Sequence, residues 1–323
     1  MTQQESRVVI VGGGPAGYSA AVYAARAGLE PICVEGYASG GQIVRSPGIH
    51  NYPGFPGGIN GTDLADRMRE QAVSFGARFV MTEADGVDLG ARPFQVSTHD
   101  GVFVAESLIV ATGAQSRRLG LASEDEYEGR GVCYCAICDG PFFAGKRVAV
   151  IGGGDAAVEE AIQLAGIADT VVLIHRRSGF RANASIRSVV ADTPGITVRT
   201  PYVAAEILGD DAAGVTGVRV AHVDTGAVED IPVDGVFIAI GHEPNSAMFT
   251  KWLTVDEYGF LVTEPGSTAS NVPGVFIAGD VADPRYRQAI TAAASGASAA
   301  IDAERWLISQ RGERPLAAAR NAA

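Results

Sequence analysis

Cysteine is scarce in this chain. There are four in 323 residues, and Cys133, Cys135 and Cys138 share one stretch of six. Secreted scaffolds spread cysteines along the chain as bridges, so that class is excluded, and the cluster points to redox catalysis or metal binding in a reducing compartment. Positive charge is also short, with 25 Lys and Arg against 37 Asp and Glu and a formal net charge of −12. Such a chain has no general attraction for polynucleotide or anionic lipid, so neither nucleic acid nor membrane is expected as a partner, and phosphate recognition must come from a local cluster. Neither a long apolar run nor a basic-then-apolar leader precedes the first strand, which predicts a cytoplasmic protein. Histidine is limited to five positions. His50, His99, His222 and His242 show no ligand spacing, only His175 stands at a motif position, and no catalytic triad is evident.

Glycine, by contrast, is abundant at 41 residues, and 47% of side chains are apolar, enough for more than one core. Two glycine-rich turns follow apolar strands. Val8 leads into Gly12, Gly14, Pro15, Ala16 and Gly17, and Val148 leads into Gly152, Gly154, Asp155, Ala156 and Ala157. These are the GxGxxG and GxGxxA patterns of dinucleotide sites, and they are offset by 140 residues, which also maps Glu35 onto His175. In each, the glycines allow close backbone approach to a pyrophosphate at the start of a helix, expected over residues 15 to 27 and 155 to 165. The end of the next strand selects the nucleotide. Glu35 suits ribose hydroxyls and repels a 2′-phosphate, whereas His175, Arg176, Arg177 and nearby Arg181 bind one. The first site is therefore read as FAD and the second as NADPH.

The fold class predicted is α/β with two Rossmann-like domains of the pyridine nucleotide-disulfide reductase type, the NADPH domain inserted in the FAD domain. Residues 1–113 form the first part of the FAD domain, 114–241 the NADPH domain with its CxxC, and 242–323 the second part. A helix is expected near 63–75, strands near 107–111, 236–240 and 275–280, and a closing helix near 287–307, with a disordered tail after Ser309.

Together, Gly12 to Gly17, Gly40-Gly41-Gln42, Ala111-Thr112-Gly113-Ala114, Cys135-Ala136-Ile137-Cys138-Asp139-Gly140, Gly152 to Asp155, His175 to Arg177 with Arg181, and Gly279-Asp280 followed by Arg287-Gln288-Ala289 resemble the bacterial low-molecular-weight NADPH-dependent thioredoxin reductases over nearly the whole chain. That resemblance implies an active disulfide between Cys135 and Cys138, Cys138 nearer the flavin, Cys135 attacking oxidised thioredoxin, and Asp139 as general acid. It also implies FAD contacts at Gly41, Gln42, Asn51, Ala111, Gly113, Gly279, Asp280, Arg287, Gln288 and Ala289, and a homodimer. The two electron transfers would take turns through rotation of residues 114–241.

Three departures stand out. Cys133 could form a partial metal site with its neighbours, but the only fourth cysteine, Cys33, falls on an interior strand of the other domain, so no metal is expected and Cys133 reads as a spectator. Ala156 is expected to be harmless, and Ala294 to tighten packing near the flavin. Two rival readings remain: an NADPH-independent FAD oxidase of small-molecule dithiols, and a non-enzymatic zinc-binding or redox-sensing module.

Overall fold

A computed structural model describes residues 2–313. The chain divides into two compact units. One comprises residues up to Gln115 and those from Glu243 onward, and the other is Ser116–His242.

In the first unit, Arg78–Val80, Ile32–Val34, Thr2–Val11 and Gly101–Val110 pair in parallel in that order. The last of these is shared. Its amino half pairs antiparallel with Phe94–Thr98, and Leu108 to Val110 pair in parallel with Val275–Ile277. Strands buried on both faces read as continuous apolar runs, and Val8, Val9, Ile10, Leu108, Ile109 and Val110 are all fully buried. The first strand begins earlier than its apolar residues suggest, because Thr2 to Ser6 pair with Gly101 to Ala105 through backbone groups that need no apolar side chain.

Helix Pro15–Arg26 packs on the carboxy-terminal helix Ala289–Glu313, and the contact is close because Gly296 lies against the backbone of Ala16, where a Cβ would fall 2.0 Å from its carbonyl oxygen. The predicted end of the closing helix is corrected. It continues through residues 308–313, and what remains of the expected tail lies outside the described residues. The helix expected at 63–75 is Gly61–Ser74, started by Asn60, whose side chain accepts from the Thr62 N–H at 2.9 Å.

The second unit carries an all-parallel sheet in the order Ile196–Arg199, Thr170–Ile174, Arg147–Ile151, Gly235–Ile238 and Val132–Cys133, with helix Asp155–Ala165 against it. A separate antiparallel sheet, Tyr202–Asp210, Gly214–His222 and Val228–Pro232, covers its other face through Ile207, Val218 and Val220. Among the described residues, no helix is long and apolar enough to cross a membrane.

Candidate active site

The first glycine turn is built as its spacing demands. Gly12 sits at φ +122, and a Cβ there would lie 2.1 Å from the Ala111 oxygen; at Gly17 it would lie 1.9 Å from the Gly12 oxygen. These two glycines let strand and helix meet. A Cβ on Gly14 would meet only the Gly41 Cα at 3.9 Å, so the backbone there faces open space at the uncapped start of helix Pro15–Arg26. That is room for a phosphate against unused N–H groups. Gly40 donates its N–H to Gly13 at 2.8 Å, which brings Gly41 and Gln42 beside the turn.

Glu35 is buried and already well partnered. Arg69 donates to both of its oxygens, from Nη2 at 3.1 Å and Nε at 3.2 Å, while Tyr18 and Ser39 donate their hydroxyls at 2.9 and 3.1 Å. Tyr18 loses its phenolic proton only far above the usual range, chiefly through burial. None of these three partners is visible at motif spacing.

The far end of the same unit supplies Asp280. Its Oδ1 is buried and has no hydrogen-bond partner among the described residues, and burial, with repulsion from Asp283, pushes its carboxyl up to about 6. An orphaned buried acceptor is costly unless a ligand donates to it, and ribityl hydroxyls fit that need. Gly279 at φ +76 abuts the Ala16 methyl and donates its N–H to Ser295 at 2.8 Å. Arg287 holds φ +47, an uncommon conformation for a side-chain-bearing residue, fixed by its N–H donating to Asp283 at 3.1 Å and its guanidinium donating to the Pro284 carbonyl. Gln288 accepts from Asn51 at 3.1 Å, joining two segments 237 residues apart just ahead of Ala289 and the long helix. The first turn of that helix leaves its amides for a ligand. Ala294 is exposed on helix Ala289–Glu313.

The second turn repeats the first. A Cβ on Gly152 would fall 2.3 Å from the Ala239 oxygen, whereas one on Gly154 would meet nothing within 4 Å, and Ala157 packs where the first copy has Gly17. A loop folds over this turn. Arg181 donates its N–H to the Gly153 carbonyl at 2.9 Å, and Asn183 donates its N–H to the Asp155 carboxylate at 2.8 Å. His175 is buried against Gly153 and stacked on Phe180 at 5.4 Å. Burial lowers its pKa, helped by Arg181, Arg177 and Arg176, so the ring is neutral, and its buried Nε2 has no partner among the described residues. The three arginines are exposed and have no carboxylate partner among those residues. The exposed Ala156 sits beside Asp155 in the first helical turn.

In the same unit, Cys135 and Cys138 are joined as a disulfide, Cα atoms 5.3 Å apart. Cys135 caps the one-turn helix Ala136–Asp139, and its Sγ accepts from the Cys138 N–H at 3.2 Å. A thiolate at Cys135 would be stabilised by that N–H. Asp139 donates its N–H to the Cys135 carbonyl at 3.0 Å, and burial raises its carboxyl pKa. Cys133 lies two residues before this pair. It is a buried free thiol, and burial, with the charge of Asp139, keeps it protonated far above the usual cysteine range.

The profile of the pyridine nucleotide-disulphide oxidoreductase family matches residues 6–296. A thioredoxin reductase of Coxiella burnetii is 46% identical over 311 residues, covering 94% of this chain and 97% of that protein. A Pseudomonas fluorescens protein named glucosaminate ammonia-lyase is 47% identical over 312 residues, 94% of this chain and 96% of that protein. Among solved structures, the thioredoxin reductase of Giardia duodenalis superposes with a TM-score of 0.90 at 37% identity, covering 95% of this chain and all of that one. The chain therefore belongs to the pyridine nucleotide-disulphide oxidoreductase family and, within it, to the FAD- and NADPH-dependent thioredoxin reductases.

Proposed function

We propose that this chain reduces oxidised thioredoxin with electrons from NADPH, and that the residues divide the work as follows. The observation that carries the reading is the Cys135–Cys138 disulfide followed directly by Asp139, whose carboxyl pKa is raised by partial burial, in a chain that also holds two glycine turns open to phosphate. Bound FAD would carry two electrons from NADPH to that disulfide. Gly12, Gly14, Ala16 and Gly17, with Gly41, Gln42, Ala111 and Gly113, cradle its nucleotide half, and Glu35 faces ribose, braced by Arg69. Asn51, Asp280, Arg287, Gln288 and Ala289 hold its reactive half. Gly152, Gly154, Asp155 and Ala156 receive the NADPH pyrophosphate, while Arg176, Arg177 and Arg181 grip its 2′-phosphate beside neutral His175.

In the reduced dithiol, the Cys135 thiolate attacks one sulfur of the thioredoxin disulfide, and the departing thiolate takes a proton from Asp139. Cys138 then passes its proton to the Asp139 carboxylate and attacks Cys135, closing the disulfide again and releasing the second thioredoxin thiolate, which takes that proton. The two electrons leave on thioredoxin as two thiols. The family resemblance supports a homodimer, which sedimentation equilibrium should report as twice the chain mass.

An anaerobic titration tests the whole reading. NADPH should bleach the flavin at much lower concentration than NADH, and added oxidised thioredoxin should restore the colour. Failure to bleach would favour the dithiol oxidase, a reading that has no use for three exposed arginines. The likeness to the ammonia-lyase suggests a second activity, but ammonia elimination moves no net electrons and leaves the disulfide without a task. Ammonia release from glucosaminate by the Cys135→Ser, Cys138→Ser variant would favour it.

Removing the arginines separates the two coenzymes. Charge-assisted hydrogen bonds to phosphate contribute about 2 kcal/mol each, so Arg177→Ala should raise KM for NADPH by roughly thirtyfold. KM for NADH should change less than about twofold. Steady-state kinetics with both coenzymes checks this, and an equal rise for both would contradict the phosphate assignment.

A further inference from the structure

We propose that Asn183 is a positioning residue for coenzyme choice, fastening the arginine-bearing loop to the second glycine turn through the Asp155 carboxylate. The inference rests on the NADPH reading above and adds to it a residue outside the glycine and arginine motifs.

The loop between strand Thr170–Ile174 and helix Ala184–Asp192 carries Arg176, Arg177 and Arg181. Its first residue is tied to the sheet, His175 donating its N–H to the Arg199 carbonyl at 3.0 Å, and its end is tied to the turn. There the two segments run in step. Arg181 donates its N–H to the Gly153 carbonyl at 2.9 Å, and two residues on in each segment Asn183 engages Asp155. This second contact is a fork. The Asn183 N–H donates to Asp155 Oδ1 at 2.8 Å and its side-chain amide donates to Oδ2 at 3.3 Å, so one residue holds both carboxylate oxygens. Between the two ties Ala182 is buried, and Phe180 stacks on His175.

The start of a helix does not by itself call for this arrangement. Asn183 stands at the N-cap of helix Ala184–Asp192, where an asparagine side chain ordinarily accepts an N–H from the first turn, yet it makes no such bond. It gives its amide to Asp155 instead. The three arginines are exposed and long, so gripping a 2′-phosphate costs less ordering when the backbone that carries them is already held to the turn that takes the pyrophosphate. A coenzyme without the 2′-phosphate makes no use of the arginines and gains nothing from the tie.

The test is titration calorimetry on the full-length, FAD-loaded protein with NADP⁺ and NAD⁺, oxidised coenzymes that pass no electrons to oxidised flavin, with melting temperature and flavin content recorded for each variant. Asn183→Ala loses one hydrogen bond and should raise the Kd for NADP⁺ about fivefold and that for NAD⁺ less than about twofold. A helix cap accepts aspartate as readily as asparagine, but the fork does not. Asn183→Asp sets carboxylate against carboxylate and should raise the Kd for NADP⁺ about tenfold or more. Adding Asp155→Asn to Asn183→Asp exchanges donor and acceptor and should bring the Kd for NADP⁺ back to within about twofold of wild type. Wild-type NADP⁺ affinity in Asn183→Ala or Asn183→Asp, equal weakening of both coenzymes in Asn183→Ala, or a double variant no better than Asn183→Asp would overturn the proposal. Arg177→Ala tests the reading beneath it. If that variant binds NADP⁺ as wild type does, the 2′-phosphate assignment falls and the role of Asn183 with it; if Arg177→Ala is weakened and Asn183→Ala is not, only the role of Asn183 is lost.

Discussion

Replacing both Cys135 and Cys138 with serine is expected to lower thioredoxin reduction by roughly 10³-fold or more while NADPH still bleaches the flavin, because the electrons then have no sulfur pair to enter. The two single variants should differ in kind. With Cys138→Ser, the remaining thiolate at Cys135 attacks thioredoxin but nothing resolves the product, so a mixed disulfide accumulates and runs as a covalent adduct on a non-reducing gel. Cys135→Ser removes the sulfur that accepts the Cys138 N–H, so no comparable adduct is expected. An adduct from the Cys135→Ser variant alone would reverse the assignment. Wild-type turnover in the double variant would remove the sulfur pair from the mechanism.

Asp280→Asn is expected to have opposite effects on the two forms of the protein. In the folded apoprotein the carboxyl titrates at about 6, well above the roughly 3.9 of an unfolded chain. The folded state therefore binds the proton more tightly than the unfolded one, and stability falls as pH rises from 4 to 6. Above that window the ionised, buried group costs on the order of 3 kcal/mol. The amide carries no charge, so the flavin-stripped variant should melt several degrees higher than wild type at pH 7.5 and at nearly the same temperature near pH 4.

With FAD present the order reverses. On the function proposed above the orphaned Oδ1 accepts from the cofactor, and weakening a charge-assisted hydrogen bond of this kind costs about 2 kcal/mol, roughly a thirtyfold loss in FAD affinity. Differential scanning calorimetry with and without FAD checks both halves. A variant that is neither stabilised when stripped nor weaker in holding flavin would show that Asp280 is an ordinary buried side chain. The pattern is that of a site that is costly to maintain empty and is offset by its ligand.

Much of this site follows from local chain geometry. Gly12 is readable because its φ of +122 and its approach to Ala111 leave no room for a side chain, and Gly17 because the strand before it passes directly beneath. The arginines after Ile174 are readable because a parallel strand of fixed length delivers whatever follows it to the same place relative to the glycine turn. The disulfide was implied by the family resemblance that the CxxC carries, and in the structure one helical turn closes its three-residue spacing.

Sequence patterns failed where a helix or strand was defined by backbone pairing or by distant packing. The first strand takes in polar Thr2 to Ser6 because its partner strand supplies the hydrogen bonds, and the last helix runs on to Glu313.

The amino-acid sequence alone thus determined the two nucleotide turns, the sulfur pair and the preference for a phosphorylated coenzyme, since each is a matter of spacing within one strand, turn and helix. Only the tertiary structure decided that Arg69 braces Glu35 from 34 residues away, that Asn51 meets Gln288, and that the Asp280 Oδ1 is buried with no partner among the described residues. Burial and side-chain pairing between remote segments arise from how the layers pack, and no local periodicity encodes which distant side chain will arrive.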